Sequence, residues 1–195
     1  VIKKTYAVNG EFQLIDATFT SPNNFQNLTI VMWARFNSIG GQKNYVTTTP
    51  VRLNIKPNQN KIRLQILKQA GGSSTSATFA DVDISEFHHY VITLDHDAAA
   101  KIYVDNVEKA SKDLSSASEN SISVVNGVFS VGSSTSDSGM EITEIGFFDS
   151  TFNSDHVEEA YNSGNYFDLT NHSQNASLSH YWLFGDSAGD TFDNN

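Results

Sequence analysis

Two groups of acidic residues in this sequence could carry acid–base chemistry. Hydrolysis of a glycoside uses two carboxylates that flank the bond to be broken. The first group, the segment 81–86 (DVDISE), directly precedes a predicted strand and begins with an Asp, whose shorter reach would widen the gap between the two carboxyl groups. In the second group, Glu141 and Glu144 are three residues apart on a predicted strand, so their side chains are expected to point to opposite faces. The sequence therefore predicts no catalytic pair and a protein that is not an enzyme.

Histidines and aspartates are the residues that could bind a metal ion. His88 and His89 are adjacent on a predicted strand, where neighbouring side chains alternate between the two faces, so one ion cannot bind both. Calcium would need about six oxygen ligands. Its candidates lie around one predicted hairpin and in the C-terminal tail: Asp95, Asp97, Asp105, Asp186, Asp190 and Asp193. The sequence assigns no metal ligands and no cofactor, and it leaves calcium binding open.

A ligand-binding surface is predicted from side chains that alternate away from the apolar residues of their strands. Trp33 and Arg35 do so on one strand, and His89 and Thr93 on another. If these strands share a sheet, an indole, a guanidinium and an imidazole form a platform that suits stacking and hydrogen bonding to a sugar. Tyr45, in a predicted loop, could reach its rim. The predicted binding residues are Trp33, Arg35, Tyr45 and His89; the alternative is that Trp33 packs beneath a loop.

Alternating apolar residues predict the strands that would position these side chains. The pattern is clearest over residues 28–36, where every second residue is apolar. Further strands are predicted at 4–8, 12–14, 51–55, 62–66, 87–95, 101–107, 128–131 and 181–184, and over the acidic strand 141–148. One helix is predicted after Asn153, with Asp155 in its first turn and Gly164 at its end. This order favours an all-β, two-sheet antiparallel sandwich of the jelly-roll type with one short C-terminal helix.

The composition excludes several kinds of partner. The chain has 195 residues, of which 12 are basic and 22 acidic, for a net charge of −10, so it repels a phosphate backbone and nucleic acid is not expected. No apolar run approaches the roughly 18 residues of a membrane span, so membrane insertion is not expected. The N-terminal residues 1–4 include neither an initiator Met nor the start of a signal peptide, which suggests a mature product or a segment of a longer protein.

Five segments, in chain order, resemble the laminin G-like branch of the concanavalin A-like lectin/glucanase superfamily. They are LTIVMWAR at 28–35, EFHHYVITLD at 86–95, KIYVDNV at 101–107, EITEIGFFD at 141–149 and AYNSG at 160–164. Val31 and Thr143 depart from the residues usual at their positions. The resemblance implies a jelly-roll sandwich and a structural role for His89. The laminarinase-type glucanases of the superfamily use a Glu-x-Asp-x-(x)-Glu strand, which the segment 81–86 matches only in part.

The predicted domain organisation is a laminin G-like sandwich over residues 1–164, followed by a C-terminal segment over 165–195. A strand at about 179–184 is expected to pack back on the sandwich. The segment from Asp168 to Asp186 resembles tails that follow such domains in large microbial and phage surface proteins. The predicted location is therefore extracellular, at a cell surface or at a virion surface.

Three functions are open at this point. The preferred one is a non-catalytic recognition module that binds a glycan or a protein on a larger surface assembly. The second is a structural or decoration protein of a virion, which packs against neighbouring chains or forms a homo-oligomer and binds no small ligand. The third and least favoured is a glycoside hydrolase that uses Asp83 and Glu86, in a segment that the resemblance does not place on a central strand.

Overall fold

The structure is a computed structural model that describes residues 6–9, 11–14, 27–38, 43–47, 51–56, 61–67, 74–76, 80–115, 129–132 and 138–183. These residues form two antiparallel seven-stranded sheets that pack face to face, with one α-helix on the outer side of the first sheet. The predicted two-sheet sandwich with one short helix is confirmed. No helix in the described ranges has the length and apolar character needed to cross a bilayer.

The first sheet carries the candidate site. Its strands are β1 (Tyr6–Asn9), β3 (Asn27–Ser38), β9 (His88–Asp95), β10 (Ala99–Val104), β11 (Val107–Asp113), β13 (Ser138–Phe148) and β14 (Leu178–Leu183). Their order is β1-β13-β3-β9-β10-β11, and β14 pairs with the half of β13 that β1 leaves open. Asp105 and Asn106 form the tight turn between β10 and β11, with φ of 50° and 63°. The predictions did not include β11, whose outward residues are mostly exposed.

The second sheet consists of β2 (Glu11–Leu14), β4 (Lys43–Thr47), β5 (Val51–Lys56), β6 (Lys61–Leu67), β7 (Ser74–Ser76), β8 (Ala80–Asp81) and β12 (Phe129–Gly132). Its order is β2-β12-β4-β5-β6-β7, with β8 also paired to β6. The strands predicted at 51–55 and 62–66 are present as β5 and β6, which pair with Val51 opposite Ile66 and Lys56 opposite Lys61. The loop predicted around Tyr45 contains a strand, β4.

The alternation along β3 divides the first sheet into a core face and an outer face. Leu28, Ile30 and Met32 are at most 1% exposed and pack with Ile62 and Leu64 of β6, as the pattern predicts. Complete burial of such a side chain stabilises a fold by about 1.5–3 kcal/mol. The intervening residues of β3 therefore point away from the second sheet.

The outer face is covered in part by α1 (Ser154–Tyr161). Val157 and Ala160 of the helix pack on Val31 and Val91 of the sheet. The predicted N-cap is confirmed, because the Asn153 side chain accepts a hydrogen bond from the backbone N–H of His156.

The predicted end of α1 at Gly164 is wrong. The C-cap is Asn162, which adopts a left-handed conformation with φ of 46°. Asparagine is one of the few non-glycine residues that enter this region readily, so it can end a helix. Tyr161 is consequently the last residue of α1 and lies at the edge of the helix–sheet contact.

Candidate binding site

Three polar side chains lie in one line across adjacent strands on the outer face. Trp33 of β3 is directly opposite His89 of β9 on one side and Glu144 of β13 on the other. Side chains directly opposite each other in an antiparallel pair project from the same face. His89, Trp33 and Glu144, called the polar row below, are therefore neighbours, and they are 1%, 8% and 1% exposed.

The neighbouring line on the same face contains Arg35 and Glu141, which are also register partners. One terminal nitrogen of Arg35 donates to both carboxylate oxygens of Glu141, at 2.7 and 2.9 Å. The guanidinium carbon also lies 5.1 Å from the centroid of the Phe87 ring, a cation–π distance. The Arg35 side chain is 38% exposed, so this ion pair borders the buried polar row at the solvent.

A β-bulge at Thr143 places the two glutamates on one face. The register of β13 against β3 shifts between Ile142 and Glu144, so Thr143 is an extra residue. An extra residue reverses the alternation beyond it. The prediction that Glu141 and Glu144 point to opposite faces is wrong because of this extra residue. The sequence carries no visible mark of the bulge.

Trp33 is covered by the end of the helix. The Tyr161 ring is stacked over the indole, with centroids 6.2 Å apart and planes at 23°, and the His89 ring lies 5.1 Å away on another side. The expected exposed platform is thus not formed, and the alternative of a packed Trp33 holds, with the helix end in place of a loop. The indole Nε1–H has no hydrogen-bond acceptor among the residues that the structure describes.

His89 is a buried neutral histidine. Burial lowers the pKa of its imidazole to about 3, against a smaller opposing effect of Asp105. Neither ring nitrogen has a hydrogen-bond partner in the described part of the chain. Its backbone N–H, in contrast, donates to the Asp105 carboxylate at 3.0 Å. A neutral imidazole offers one donor and one acceptor, and here both are unused.

Glu144 is held by a tyrosine pair. The Tyr181 hydroxyl donates to Oε2 of Glu144 at 2.7 Å, and the hydroxyl oxygens of Tyr181 and Tyr166 are 3.2 Å apart. Burial, together with the nearby Glu144 charge, raises the pKa of the Tyr181 phenol. Tyr181 therefore remains a proton donor to this carboxylate at ordinary pH.

The fourth predicted binding residue, Tyr45, is not part of this face. It lies on β4 of the second sheet and not in a loop, at a point where the register against β5 shifts. Sequence reasoning thus brought together Trp33, Arg35 and His89 but missed Glu141, Glu144 and Tyr161 as their neighbours. The pairing of the strands is the signal that would have found the glutamates, and it is not visible in one sequence.

The remaining candidate acids lie in the turn that precedes β9. Asp83 accepts hydrogen bonds from the backbone N–H and the hydroxyl of Ser85, which lower its pKa. His88 points away from His89, as expected, and its Nδ1 is 2.5 Å from an oxygen of Asp105. In the described ranges no three acidic or histidine residues are grouped as a metal site would require. Asp186, Asp190 and Asp193 lie outside those ranges.

The fold defines a concanavalin A-like class of protein. A family model described as the concanavalin A-like lectin/glucanases superfamily (Laminin_G_3) matches residues 9–158. The chain belongs to this family, and the resemblance drawn from its sequence is confirmed. A comparison with curated protein sequences finds no significant match.

Solved structures with the same fold include receptor-binding domains of botulinum neurotoxins. One is the receptor-binding domain of the C/D mosaic serotype, with a TM-score of 0.66, 9% identity and coverage of 81% of this chain and 42% of that one. Another is the binding domain of neurotoxin DC in complex with rat synaptotagmin II, with a TM-score of 0.66, 13% identity and coverage of 83% of this chain and 43% of that one. A third is the serotype D ligand-binding domain in complex with N-acetylneuraminic acid, with a TM-score of 0.66, 9% identity and coverage of 81% of this chain and 42% of that one. This chain spans less than half the length of each.

Proposed function

We propose that this protein is a non-catalytic recognition module that binds a glycan or a protein on a larger surface assembly. The observation that carries the proposal is the grouping on the outer face of the first sheet. Trp33, Arg35 and His89 are neighbours there, and each has at least one buried side-chain nitrogen with no partner in the described residues: Nε1 of Trp33, Nε of Arg35 and both ring nitrogens of His89. Buried polar groups are nearly always hydrogen-bonded, so such a cluster is typical of a site that receives a partner.

The structural neighbours support a binding role. One was solved with synaptotagmin II, a protein, and one with N-acetylneuraminic acid, a sugar. These ligands belong to those proteins, whose identity to this chain is 13% or less. The shared fold is one on which binding loops and faces are readily built, and it favours a place at a surface outside the cell.

The state of the carboxylates argues against catalysis. A glycoside hydrolase needs one carboxyl group that donates a proton to the substrate and a second that acts as base or nucleophile. Glu141 is paired with Arg35, and Glu144 is 1% exposed beneath Tyr181. Asp83 is occupied by Ser85 in an exposed turn. None of these residues presents the pair that hydrolysis requires.

The test is a thermal melt and calorimetric titration of the full chain against soluble polysaccharides, with and without calcium, and against candidate surface proteins. A ligand of the folded state raises the melting temperature by mass action. Arg35→Gln should weaken binding by roughly tenfold, because a charge-assisted hydrogen bond contributes about 1.5–3 kcal/mol. Lys109→Gln, at an exposed position of β11, removes the same charge far along the sheet and should bind as the unmodified chain does.

The outcome against the proposal is a chain that responds to no sugar and no protein. If size-exclusion mass measurement then showed a stable trimer or larger assembly, the structural or virion protein would take its place. Hydrolysis of β-glucan that disappeared in Asp83→Asn or Glu86→Gln would instead establish the enzyme.

A further inference from the structure

The unpartnered side-chain atoms of Trp33, Arg35 and His89 include more donors than acceptors. Trp33 Nε1–H and Arg35 Nε–H can only donate, and a neutral His89 contributes one donor and one acceptor. All four atoms are buried, and none has a partner in the ranges that the structure describes. Trp33 and His89 are themselves more than nine-tenths buried. A ligand that satisfies this set must mainly accept hydrogen bonds and must also donate one.

We propose, on the premise of the function proposed above, that the polar row binds an uncharged, hydroxyl-bearing sugar and not an acidic one. A hydroxyl group accepts two hydrogen bonds and donates one, which suits three donors and a single acceptor. Adjacent hydroxyls on a sugar ring offer several such groups at close spacing. The Trp33 ring, which Tyr161 covers in this structure, supplies the flat apolar surface on which the C–H face of a sugar packs once Tyr161 is displaced.

The charges around the row disfavour an acidic ligand. Glu144 belongs to the row, Glu141 lies in the neighbouring line, and Asp105 contacts the backbone of His89. Arg35, the cation of the neighbouring line, is already bound by Glu141, and Lys101, further along this face, is paired with Glu108. A carboxylate brought to Trp33 and His89 would therefore meet more negative than positive charge at short range, where partial burial weakens screening.

Tyr161 is the residue that a ligand would displace. Its ring is half-buried, covers Trp33 at 6.2 Å and lies 5.8 Å from His89. As the last residue of α1 it can move without disturbing Val157 and Ala160, which hold the helix on the sheet. The three following residues, 162–164, have φ of 46°, 54° and 82°, so the helix does not continue past Tyr161.

The experiment uses matched panels of neutral oligosaccharides and of the same sugars carrying sialic or uronic acid. The chain has two tryptophans, so a proton–nitrogen correlation spectrum shows two indole N–H signals. Trp33→Phe and Trp182→Phe assign them. A neutral sugar should shift the Trp33 signal and leave that of Trp182, which faces the core, in place. An acidic sugar should shift neither.

The two tryptophan variants also serve as a matched pair in calorimetry. Trp33→Phe removes one donor to the ligand and should weaken neutral-sugar binding by roughly three- to tenfold. Trp182→Phe, which packs edge-on against Phe147, should bind unchanged. Circular dichroism melts verify that each variant folds, and the indole titration of the unmodified chain needs neither variant to be stable beyond assignment.

The two proposals fail in different ways. Binding of acidic sugars alone would overturn the assignment to neutral sugars and leave the recognition module intact. Binding of neutral sugars that moved neither the Trp33 signal nor the Trp33→Phe affinity would mean that the unpartnered nitrogens hold only water, which also overturns it. A panel of sugars and proteins that all failed to bind would remove the recognition module itself.

Discussion

Two histidines lie on the outer side of the first sheet, each 1% exposed, and their surroundings differ completely. His172 stacks on Phe152 with centroids 4.5 Å apart and planes at 1°. Its Nδ1 accepts from the Gln174 backbone N–H at 3.0 Å, and its Nε2 donates to the His156 carbonyl at 3.0 Å. His89 has neither nitrogen satisfied within the described chain. The comparison separates a histidine that ties a segment to the fold from one whose ring nitrogens bond to nothing in the described chain.

The largest expected effect comes from replacing each histidine by phenylalanine. His172→Phe leaves the Gln174 N–H without its acceptor and removes one of the hydrogen bonds of the His156 carbonyl, and should lower the free energy of unfolding by about 2–4 kcal/mol. His89→Phe removes no side-chain hydrogen bond among the described residues, and should change the free energy of unfolding by less than about 1 kcal/mol. The cost of fitting a slightly larger ring is common to both variants. Urea denaturation followed by circular dichroism measures the difference. Equal losses of stability in the two variants would contradict the claim that only the His172 ring is hydrogen-bonded.

The second expected effect is a loss of folding stability in acid, caused by the burial of His89. Its folded pKa is about 3, below the ordinary value of 6.5, so the unfolded chain takes up the proton first as pH falls. The stability due to the neutral imidazole is complete above the ordinary pKa and is lost as pH falls toward the folded value. From pH 7 to 5 the loss should be about 2 kcal/mol.

His89→Phe should be more stable than the unmodified chain at pH 5 by that amount, with little difference at pH 7. Burial also lowers the pKa of His172, so part of the acid loss will persist in the variant. Denaturation curves at the two pH values are the measurement. A variant that lost as much stability in acid as the unmodified chain would show that His89 is not the buried neutral group.

Removing the donor to Glu144 extends the comparison to the far end of the polar row. Tyr181→Phe deletes the hydroxyl that bonds this buried carboxylate at 2.7 Å, and should cost about 1–3 kcal/mol. Tyr166→Phe is the matched control, since its hydroxyl contacts Tyr181 and lies one step further from the carboxylate. Unfolding free energies that ranked Tyr166→Phe as the more damaging variant would contradict the geometry.

The smallest expected effect is at His88, which precedes His89 in the chain. The pKa of His88 is shifted in the opposite direction from that of His89. A hydrogen bond to Asp105 raises the pKa of the His88 imidazole. A raised folded pKa gives stability that is full below the ordinary value of 6.5 and is lost as pH rises through the folded value. Both side chains are partly exposed, so the loss should stay under about 1 kcal/mol. Asp105→Asn should abolish it, as measured by melts between pH 6 and 8.

Several features followed from the sequence because a local pattern determines them. The alternation of residues 28–36 places Trp33 and Arg35 away from the core, and Asn153 marks the start of the helix. The strand β11 escaped prediction because only one of its residues, Ala110, is buried. A single buried position shows no period.

The site itself was only half predictable. Its glutamates share a face because of the extra residue Thr143, and Trp33 is buried because Tyr161 docks on it. Both facts depend on how distant segments meet. Neither the bulge nor the docking position of the helix leaves a trace in residue spacing, so composition and periodicity cannot reveal them.

The bulge also separates two strands that come from opposite ends of the described chain. Tyr6 of β1 lies opposite Ile142, and Leu183 of β14 lies opposite Glu144, on the same edge of β13. Tension applied between Tyr6 and Leu183 would therefore peel each strand from β13 one hydrogen bond at a time, and would not shear the bonds together. The sandwich should yield at low force when pulled through these two strands, and a short covalent link between them would make one continuous edge strand.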